Sequence, residues 1–185
     1  DPVPSAGLPE QEYIEILNTA PYPVNTEGWS LKIDGTEKAI PPRILLPEEF
    51  LLLGGKGTCK SFPYVEKTGE ITGFQGLKNA GGQVEILDGS KRSLDKISYC
   101  RAWYHNSDKD KGGWSLERTD PFRHCGQDLN WLASCAVSGG TPGRENSILH
   151  SNPDEIPPYM KWIAAISENQ VEIIFSESMD TSQLK

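Results

Sequence analysis

Short segments in which apolar and polar residues alternate recur along this chain, and turn-forming residues separate them. Residues 12–17 and 29–33 alternate in this way, as half-buried strands do. Residues 84–87 and 94–99 flank an Asp-Gly-Ser turn at 88–90, which is the strongest hairpin signal in the sequence. The chain also contains 18 glycines and 14 prolines, and no long stretch has helical periodicity. The sequence therefore predicts an all-β fold of the sandwich or barrel type.

Two other apolar segments add to this pattern. Residues 50–53 form a continuous apolar run, which is typical of a strand that is covered on both faces. Near the end of the chain, residues 162–166 and 171–175 indicate two further strands after a Pro- and Asp-rich linker at 150–158. Because a two-stranded hairpin alone is only marginally stable in water, we expect this tail to pack on the main domain or to belong to a second module.

The overall charge and the apolar runs argue against two classes of partner. With 18 basic and 26 acidic side chains, the formal net charge is −8 and the isoelectric point is near 4.9, so nucleic-acid binding is not expected. No apolar run approaches the roughly 20 residues that span a bilayer, so no membrane insertion is expected. The chain opens with Asp-Pro-Val-Pro rather than Met, which we interpret as a fragment of a longer precursor.

The four cysteines leave two alternatives open. Cys59, Cys100, Cys125 and Cys135 form no CxxC pair, and the chain has only three histidines, so we expect no structural zinc site. An even number of cysteines is compatible with disulfides and an oxidising compartment. The pair Cys125–Cys135 would close a short loop, and Cys59–Cys100 would then remain; free thiols are the alternative.

A shaped turn follows a large aromatic residue late in the chain. Asn130-Trp131 precedes residues 139–147, where glycines permit positive φ and proline fixes its own. The turn itself is predicted at Gly140, Thr141, Pro142 and Gly143. Trp131 supplies an apolar anchor over which a small β core could close. We interpret residues 139–147, called the closing stretch below, as the end of a domain rather than as a catalytic loop.

The order of these motifs resembles the lamin tail domain family, in its bacterial secreted branch. The motifs are Tyr-Ile-Glu-Ile-Leu-Asn at 13–18, Gly-Trp-Ser-Leu at 28–31, Gly-Gly-Gln-Val-Glu-Ile-Leu-Asp at 81–88, Ser-Leu-Glu-Arg at 115–118, Asn130-Trp131, and Gly-Thr-Pro-Gly at 140–143 with Asn146. The resemblance covers about residues 12–147. It implies an immunoglobulin-like β-sandwich without a catalytic centre. Pattern and resemblance together place Trp29, Leu31, Leu116 and Trp131 in its core.

The resemblance also predicts what lies beyond the first domain. Residues 171–180 are similar to the opening of a bacterial Ig-like domain, which makes the tail a partial second module. Family members usually begin with a further strand before the Asp-Pro that here is Asp1-Pro2. That strand is absent here, so the strand next to it in the sheet would have an unpaired edge. We therefore hypothesise that residues 171–175 fill this place by strand exchange, within the chain or from a neighbouring molecule.

Ionisable residues give no strong indication of catalysis or metal binding. His105, His124 and His150 are the only bases suited to activate a Ser or Cys nucleophile, and none lies near a Gly-x-Ser-x-Gly elbow. We expect no catalytic residues and no cofactor. Asp108 and Asp110 alternate as in a calcium loop, but the further acidic positions are missing, so a solvated loop is the favoured interpretation.

Aromatic residues are the candidate ligand contacts. Trp103, Tyr104 and Trp114 bracket a polar loop and could line an exposed platform for a glycan or a protein. On the strand at 115–118, adjacent residues point to opposite faces. We expect Leu116 in the core, Glu117 outward with Ser115, and Arg118 bracing a loop.

These observations combine into one prediction of architecture and role. An immunoglobulin-like sandwich is predicted at residues 1–149, a linker at 150–158, and a partial Ig-like module at 159–185. The predicted role is that of a non-enzymatic structural or binding module in a secreted or cell-surface multidomain bacterial protein. The alternatives are a carbohydrate-binding module and an accessory domain of an extracellular hydrolase or nuclease.

Overall fold

The described part of the chain, residues 1–123, 129–151 and 157–176 of a computed structural model, consists mainly of β-strands and turns. In chain order the strands are β1 (Tyr13–Leu17), β2 (Val24–Asn25), β3 (Ser30–Ile33), β4 (Thr36–Ala39), β5 (Ile44–Leu45), β6 (Phe50–Gly54), β7 (Thr68–Glu70), β8 (Gly81–Leu87), β9 (Ser93–Cys100), β10 (Leu116–Arg118), β11 (Trp131–Ala133), β12 (Met160–Ser167) and β13 (Gln170–Phe175). One helical turn, α1 (Thr58–Ser61), and two 3-10 turns (Arg101–Tyr104 and Lys109–Lys111) accompany them. The all-β prediction is confirmed.

Two sheets pack face to face around a shared core. One sheet has the antiparallel order β4-β3-β8-β9, and the other has the order β1-β6-β7, with β6 and β7 parallel. Strands β2 with β5 and β10 with β11 form two short antiparallel pairs beside them. The core joins apolar side chains from both sheets, among them Ile16, Leu31, Ile33, Leu51, Leu53 and Val84. Burial of this apolar surface is the main force that holds the sheets together.

Both hairpins of the four-stranded sheet follow from local turn chemistry. Asp34 and Gly35 have φ values of 45° and 87°, as a two-residue type I′ turn between β3 and β4 requires. Between β8 and β9, the Asp88 carboxylate accepts hydrogen bonds from the amides of Ser90 (2.8 Å) and Arg92 (2.9 Å). The predicted hairpin at 88–90 is confirmed.

Strand β6 is covered on both faces, as its continuous apolar run predicted. Leu51 and Leu53 point into the core between the sheets, and Leu52 packs on the opposite side against Phe62 and Val65. The exposed fraction of each of these three leucines is 0%. The second small core lies under α1 and the segment that follows it.

Three elements have no clear signature in the sequence. The stretch from 54 to 73 reads as irregular, but it contains α1 and β7. Strand β7 is held by its parallel pairing with β6, and its Glu70 carboxylate accepts a hydrogen bond from the Gly57 amide (2.8 Å). Strand β4 is also short and polar, and it follows from the turn at Asp34-Gly35. Contacts with distant partners therefore fix α1 and β7, whereas the local turn fixes β4.

The first eleven residues form no strand, and they contact residues 112–113 and 138–140. The Asp1 carbonyl accepts a hydrogen bond from the Gly113 amide (2.7 Å). A Cβ on Gly7 would lie 3.2 Å from the Ser138 Cα, and a Cβ on Gly139 would lie 3.0 Å from the Ala6 Cβ and 2.1 Å from the Gly113 carbonyl oxygen. The predicted extended lead-in therefore contacts the domain, although most of its residues are exposed.

The tail forms a hairpin of its own. Strands β12 and β13 pair with each other, and neither pairs with any other strand in the described ranges. The two predicted tail strands are confirmed. The hypothesis that residues 171–175 complete the first domain within the same chain is wrong, because β13 joins neither sheet of that domain and pairs with β12 alone among the described strands.

The boundaries between the predicted domains are only partly described. The His150 amide still donates to the Thr119 carbonyl (3.0 Å), so the first residue of the predicted linker contacts the main domain. Residues 152–156 of that linker and 177–185 of the predicted partial module lie outside the described residues. The division into 1–149, 150–158 and 159–185 stays a prediction.

Candidate functional site

Glu117 is a buried carboxylate that ties β10 to the closing stretch. Its exposed fraction is 4%. One carboxylate oxygen accepts a hydrogen bond from the Thr141 hydroxyl (2.9 Å), and the other accepts from both the amide (2.8 Å) and the hydroxyl (2.7 Å) of Ser147. The Ser115 hydroxyl donates to the first oxygen at 3.3 Å. The carboxylate thus replaces strand pairing as the link between these segments.

The predicted orientation of β10 is wrong. Glu117 points inward, and Leu116 is only half-buried. The two residues do face opposite sides of the strand, as alternation requires. However, the side that is covered is the polar one, because the closing stretch lies over it and supplies hydroxyl and amide donors to Glu117.

Asn130 fixes the preceding loop in the same manner. Its side chain is 1% exposed. The side-chain oxygen accepts hydrogen bonds from the Thr119 hydroxyl (2.6 Å) and the Asp120 amide (2.8 Å), and the side-chain nitrogen donates to the carbonyls of Asp120 (2.8 Å) and Arg123 (3.0 Å). All four hydrogen-bonding positions of the amide are occupied, so Asn130 serves the loop structure rather than a ligand.

The turn at Pro142-Gly143 also contacts strand β1. The Arg144 amide donates to the Thr141 carbonyl (3.2 Å) across this turn, and the Gly143 amide donates to the Glu15 carboxylate (2.6 Å). Burial, reinforced by the negative charge of Glu117 and opposed by the hydrogen bond from Gly143, raises the pKa of the Glu15 carboxyl to about 7.

Neither Glu15 nor Glu117 stands out in the sequence as a site residue. Each lies on the polar side of an alternating strand, which normally faces water. Here the closing stretch covers those polar sides. The strands β1 and β10 are distant from the closing stretch in sequence, so only the fold brings them together. Burial also raises the pKa of the Tyr13 hydroxyl on the same strand as Glu15.

A groove of about 830 Å³ runs between β1, the β8–β9 edge and β10. We call it the central groove and define it by six side chains on its walls: Ile14, Ile86, Leu94, Ile97, Leu116 and Trp131. All six are apolar, yet none is fully buried, and the exposed fraction of Leu94 is 45%. The sandwich is therefore incompletely covered on this side.

The aromatic residues predicted as a platform do not form one. Trp103 is buried, and its ring stacks on that of Trp131 at 6.3 Å between centroids with 22° between the planes. The Tyr104 hydroxyl donates to the Trp114 carbonyl (3.0 Å), and both side chains are half-buried. The prediction of an exposed platform is wrong for Trp103, because its ring provides packing under the groove instead.

The predicted core residues differ in their degree of burial. Leu31 is 1% exposed and lies in the central core. Trp29 is half-buried and packs against the edge of that core. Leu116 and Trp131 are also half-buried, because they line the central groove rather than the core between the sheets.

Arg118 crosses one end of the groove. Its guanidinium donates to the Asp95 carboxylate on β9 (2.8 Å) and lies 5.1 Å from the centre of the Trp131 ring. It therefore braces a strand, not the loop that was predicted. In the described part of the chain, Arg118 Nε and Trp131 Nε1 are buried donors without an acceptor.

The segment that resembles a calcium loop in part carries ion pairs with cationic side chains. The Asp110 carboxylate accepts a hydrogen bond from Arg101 (3.0 Å), and Asp108 pairs with Lys111 (3.0 Å). These neighbours hold the pKa of the Asp110 carboxyl below its usual value, with the Arg101 hydrogen bond as the largest cause. Within the ranges described, no group of three or more His, Cys, Asp or Glu residues is placed to hold a metal ion.

The histidines named as candidate bases are not brought together. His105 is exposed at the end of the 3-10 turn 101–104, and the exposed His150 ring contacts the Ile148 carbonyl (2.9 Å). His124 lies outside the described residues. The structure thus gives no His–nucleophile pair among the residues that it describes.

Three of the four cysteines are free thiols. Cys59 and Cys135 are exposed, and Cys100 is half-buried. The candidate Cys59–Cys100 disulfide is therefore absent, and the alternative of free thiols holds for this pair. Cys125, the predicted partner of Cys135, lies outside the described residues, and Cys135 itself is unbonded. These three residues therefore give no support to the inference of an oxidising compartment from disulfides.

Comparison with protein-family models, with curated proteins and with solved structures finds no match for this chain. Among the described residues, no helix has the length and apolar character needed to span a membrane.

Proposed function

We propose that this chain is a non-enzymatic binding module and that the central groove is its binding surface. One observation carries this proposal: a concave surface of about 830 Å³ contains apolar side chains that the chain itself leaves half-covered, beside charged residues such as Glu12 and Arg92. That volume falls in the range of about 300–1,000 Å³ that is typical of ligand sites. Uncovered apolar surface of this kind usually marks a place of interaction.

The ionisable groups around the groove support a structural rather than a catalytic role. Glu117 accepts hydrogen bonds from the closing stretch, Arg118 is paired with Asp95, and the Glu15 carboxylate accepts from a backbone amide. Each of these groups is already bound to a neighbour that holds the fold. A raised pKa such as that of Glu15 also occurs at catalytic sites, but structural burial produces the same shift.

The setting that we propose rests on the resemblance to the lamin tail domain family. In that proposal the sheets form an immunoglobulin-like sandwich within a secreted or cell-surface multidomain bacterial protein. The resemblance supplies both the compartment and the modular context. An accessory domain of an extracellular hydrolase or nuclease is a variant of the same proposal, in which the partner is a neighbouring domain.

Carbohydrate binding is the second candidate function. It is favoured by the half-buried Trp114 and Tyr104 beside the polar loop, since aromatic rings can stack on sugars. Burial of Trp103 leaves at most two of the three predicted rings for such stacking. A glycan array measures sugar binding directly. Binding by the wild type that disappears in Trp114→Ala would favour carbohydrate binding over binding in the central groove.

An apolar reporter dye tests whether the groove is an open binding surface. The experiment uses Val171→Lys/Ile173→Lys, because charges on the exposed tail hairpin weaken dye binding there and prevent β13 from filling the groove. We expect dye fluorescence to rise on binding and to fall when Leu94→Lys is added in the groove. The matched change Ile44→Lys, at an exposed aliphatic residue of β5 outside the groove lining, should have no effect. Equal dye binding by both variants would contradict the proposal.

A further inference from the structure

We propose that the central groove accepts a β-strand and that β13 of a second copy of this chain occupies it. This inference rests on the proposed binding role of the groove and names its occupant. It predicts a concentration-dependent dimer in which each copy donates its tail to the other.

The walls of the groove include strands at the ends of their sheets. In the described part of the fold, β1 and β9 each have one strand neighbour, and so does β10 in its pair with β11. Each of them therefore has one edge without a strand partner. Such edges are templates for pairing with another extended chain. An added strand would gain main-chain hydrogen bonds as well as apolar contacts.

The tail hairpin has the complementary properties. Strand β13 has six residues and thus a length of about 20 Å, shorter than the eight-residue wall β9. Val171, Ile173 and Ile174 are 60%, 43% and 46% exposed, so both of its faces lack cover. Its single charged residue is Glu172.

A second copy fits these facts better than the same chain. Within one chain, β13 pairs with β12 alone among the described strands, and the groove stays open. A hairpin exposed on both faces is marginally stable by itself, so its burial against another molecule is favourable. Reciprocal exchange between two copies buries both tails and closes the assembly with two-fold symmetry.

Sedimentation equilibrium of the full chain, at concentrations up to about 100 μM, tests the proposal by mass action. We expect the wild type and the control Ile44→Lys to form dimers. We expect Val171→Lys/Ile173→Lys, which changes the donor, and Leu94→Lys, which changes the acceptor, to remain monomeric. Thermal unfolding followed by circular dichroism shows whether each variant is folded. A second acceptor variant, Ile97→Thr, replaces Leu94→Lys if that protein does not fold.

Three other results would each contradict the assignment of the groove to a second copy, and each would point to a different explanation. If the wild type stays monomeric, β13 does not bind the groove, yet dye binding can still show an open surface. If both acceptor variants dimerise like the wild type, the tails associate with each other rather than with the groove. If the groove of a monomer instead binds only an added strand peptide of unrelated sequence, the occupant comes from another protein.

Discussion

The Ser147 amide and hydroxyl both donate to one carboxylate oxygen of Glu117, at 2.8 and 2.7 Å, across thirty residues of sequence. The same hydroxyl accepts a hydrogen bond from the Cys135 amide (2.8 Å). One buried carboxylate therefore fixes the end of the domain relative to strand β10. Groups that accept several hydrogen bonds in this way contribute strongly to stability, because removal leaves each donor unsatisfied.

Loss of the Glu117 carboxylate should destabilise the domain. Glu117→Ala leaves the amide of Ser147 and the hydroxyls of Ser147 and Thr141 without their acceptor, so we expect the free energy of unfolding to fall by about 3 kcal/mol. Glu145→Ala, at an exposed position in the same closing stretch, is the control and should change it by less than about 0.5 kcal/mol. Urea unfolding measures both. Equal midpoints for the two variants would show that the carboxylate does not hold the closing stretch.

The Glu15 carboxyl should make stability fall as the pH rises. Its pKa is about 7 in the folded chain, compared with an ordinary value of 4.5, so the folded state holds the proton more tightly. The stabilisation is complete below about pH 4.5, declines between 4.5 and 7, and is absent above.

Replacement by glutamine isolates this effect. Glu15→Gln keeps an oxygen for the Gly143 amide and removes the charge, so at pH 8 we expect it to raise the free energy of unfolding by about 2 kcal/mol. Near pH 4.5 this gain should disappear. Urea unfolding across the pH range provides the comparison, and parallel pH profiles for wild type and variant would refute the assignment.

The strands could be predicted from sequence to a large extent, whereas the site could not. Alternation and short turns are local, so Asp34-Gly35 and the 88–90 turn identify adjacent antiparallel strands. The burial of Glu117 depends on Thr141 and Ser147, which lie 24 and 30 residues away. Alternation defines two faces of a strand but does not say which face a distant segment covers.

The aromatic and cysteine predictions failed for a related reason. Trp103 lies shortly after the end of β9, and Tyr104 and Trp114 lie near it in the sequence. This clustering of aromatic residues led to the prediction of an exposed platform. In the fold, the 3-10 turn at 101–104 directs Trp103 beneath Trp131 instead. An even number of cysteines likewise says nothing about the distance between Cys59 and Cys100.

A side chain at Gly139 should clash with the backbone of an adjacent loop. A Cβ there would lie 2.1 Å from the Gly113 carbonyl oxygen, at a φ of 92°. Gly35 has a similar φ of 87° but open space around it, so the pair separates steric overlap from conformational strain. We expect Gly35→Ala to cost about 1 kcal/mol and Gly139→Ala at least about twice that. Thermal unfolding compares them, and similar costs would mean that the loops separate easily.

The thiols of Cys59 and Cys135 should react without a reductant. Both are exposed and free, whereas the half-buried Cys100 should react more slowly. Labelling of the native chain with iodoacetamide, followed by peptide mass spectrometry, measures each site. Cys59 or Cys135 that becomes labelled only after reduction would show a disulfide that the structure does not contain.

Hydrogen–deuterium exchange on the edges of the central groove tests the strand-acceptor account most directly. Edge amides of β1 and β9 exchange quickly in an open groove and slowly when a strand is bound to them. At high protein concentration, we predict slower exchange in β1 and β9 for the wild type than for Val171→Lys/Ile173→Lys, with no difference in the buried strand β6. Identical exchange in β1 and β9 for the two proteins would contradict the account.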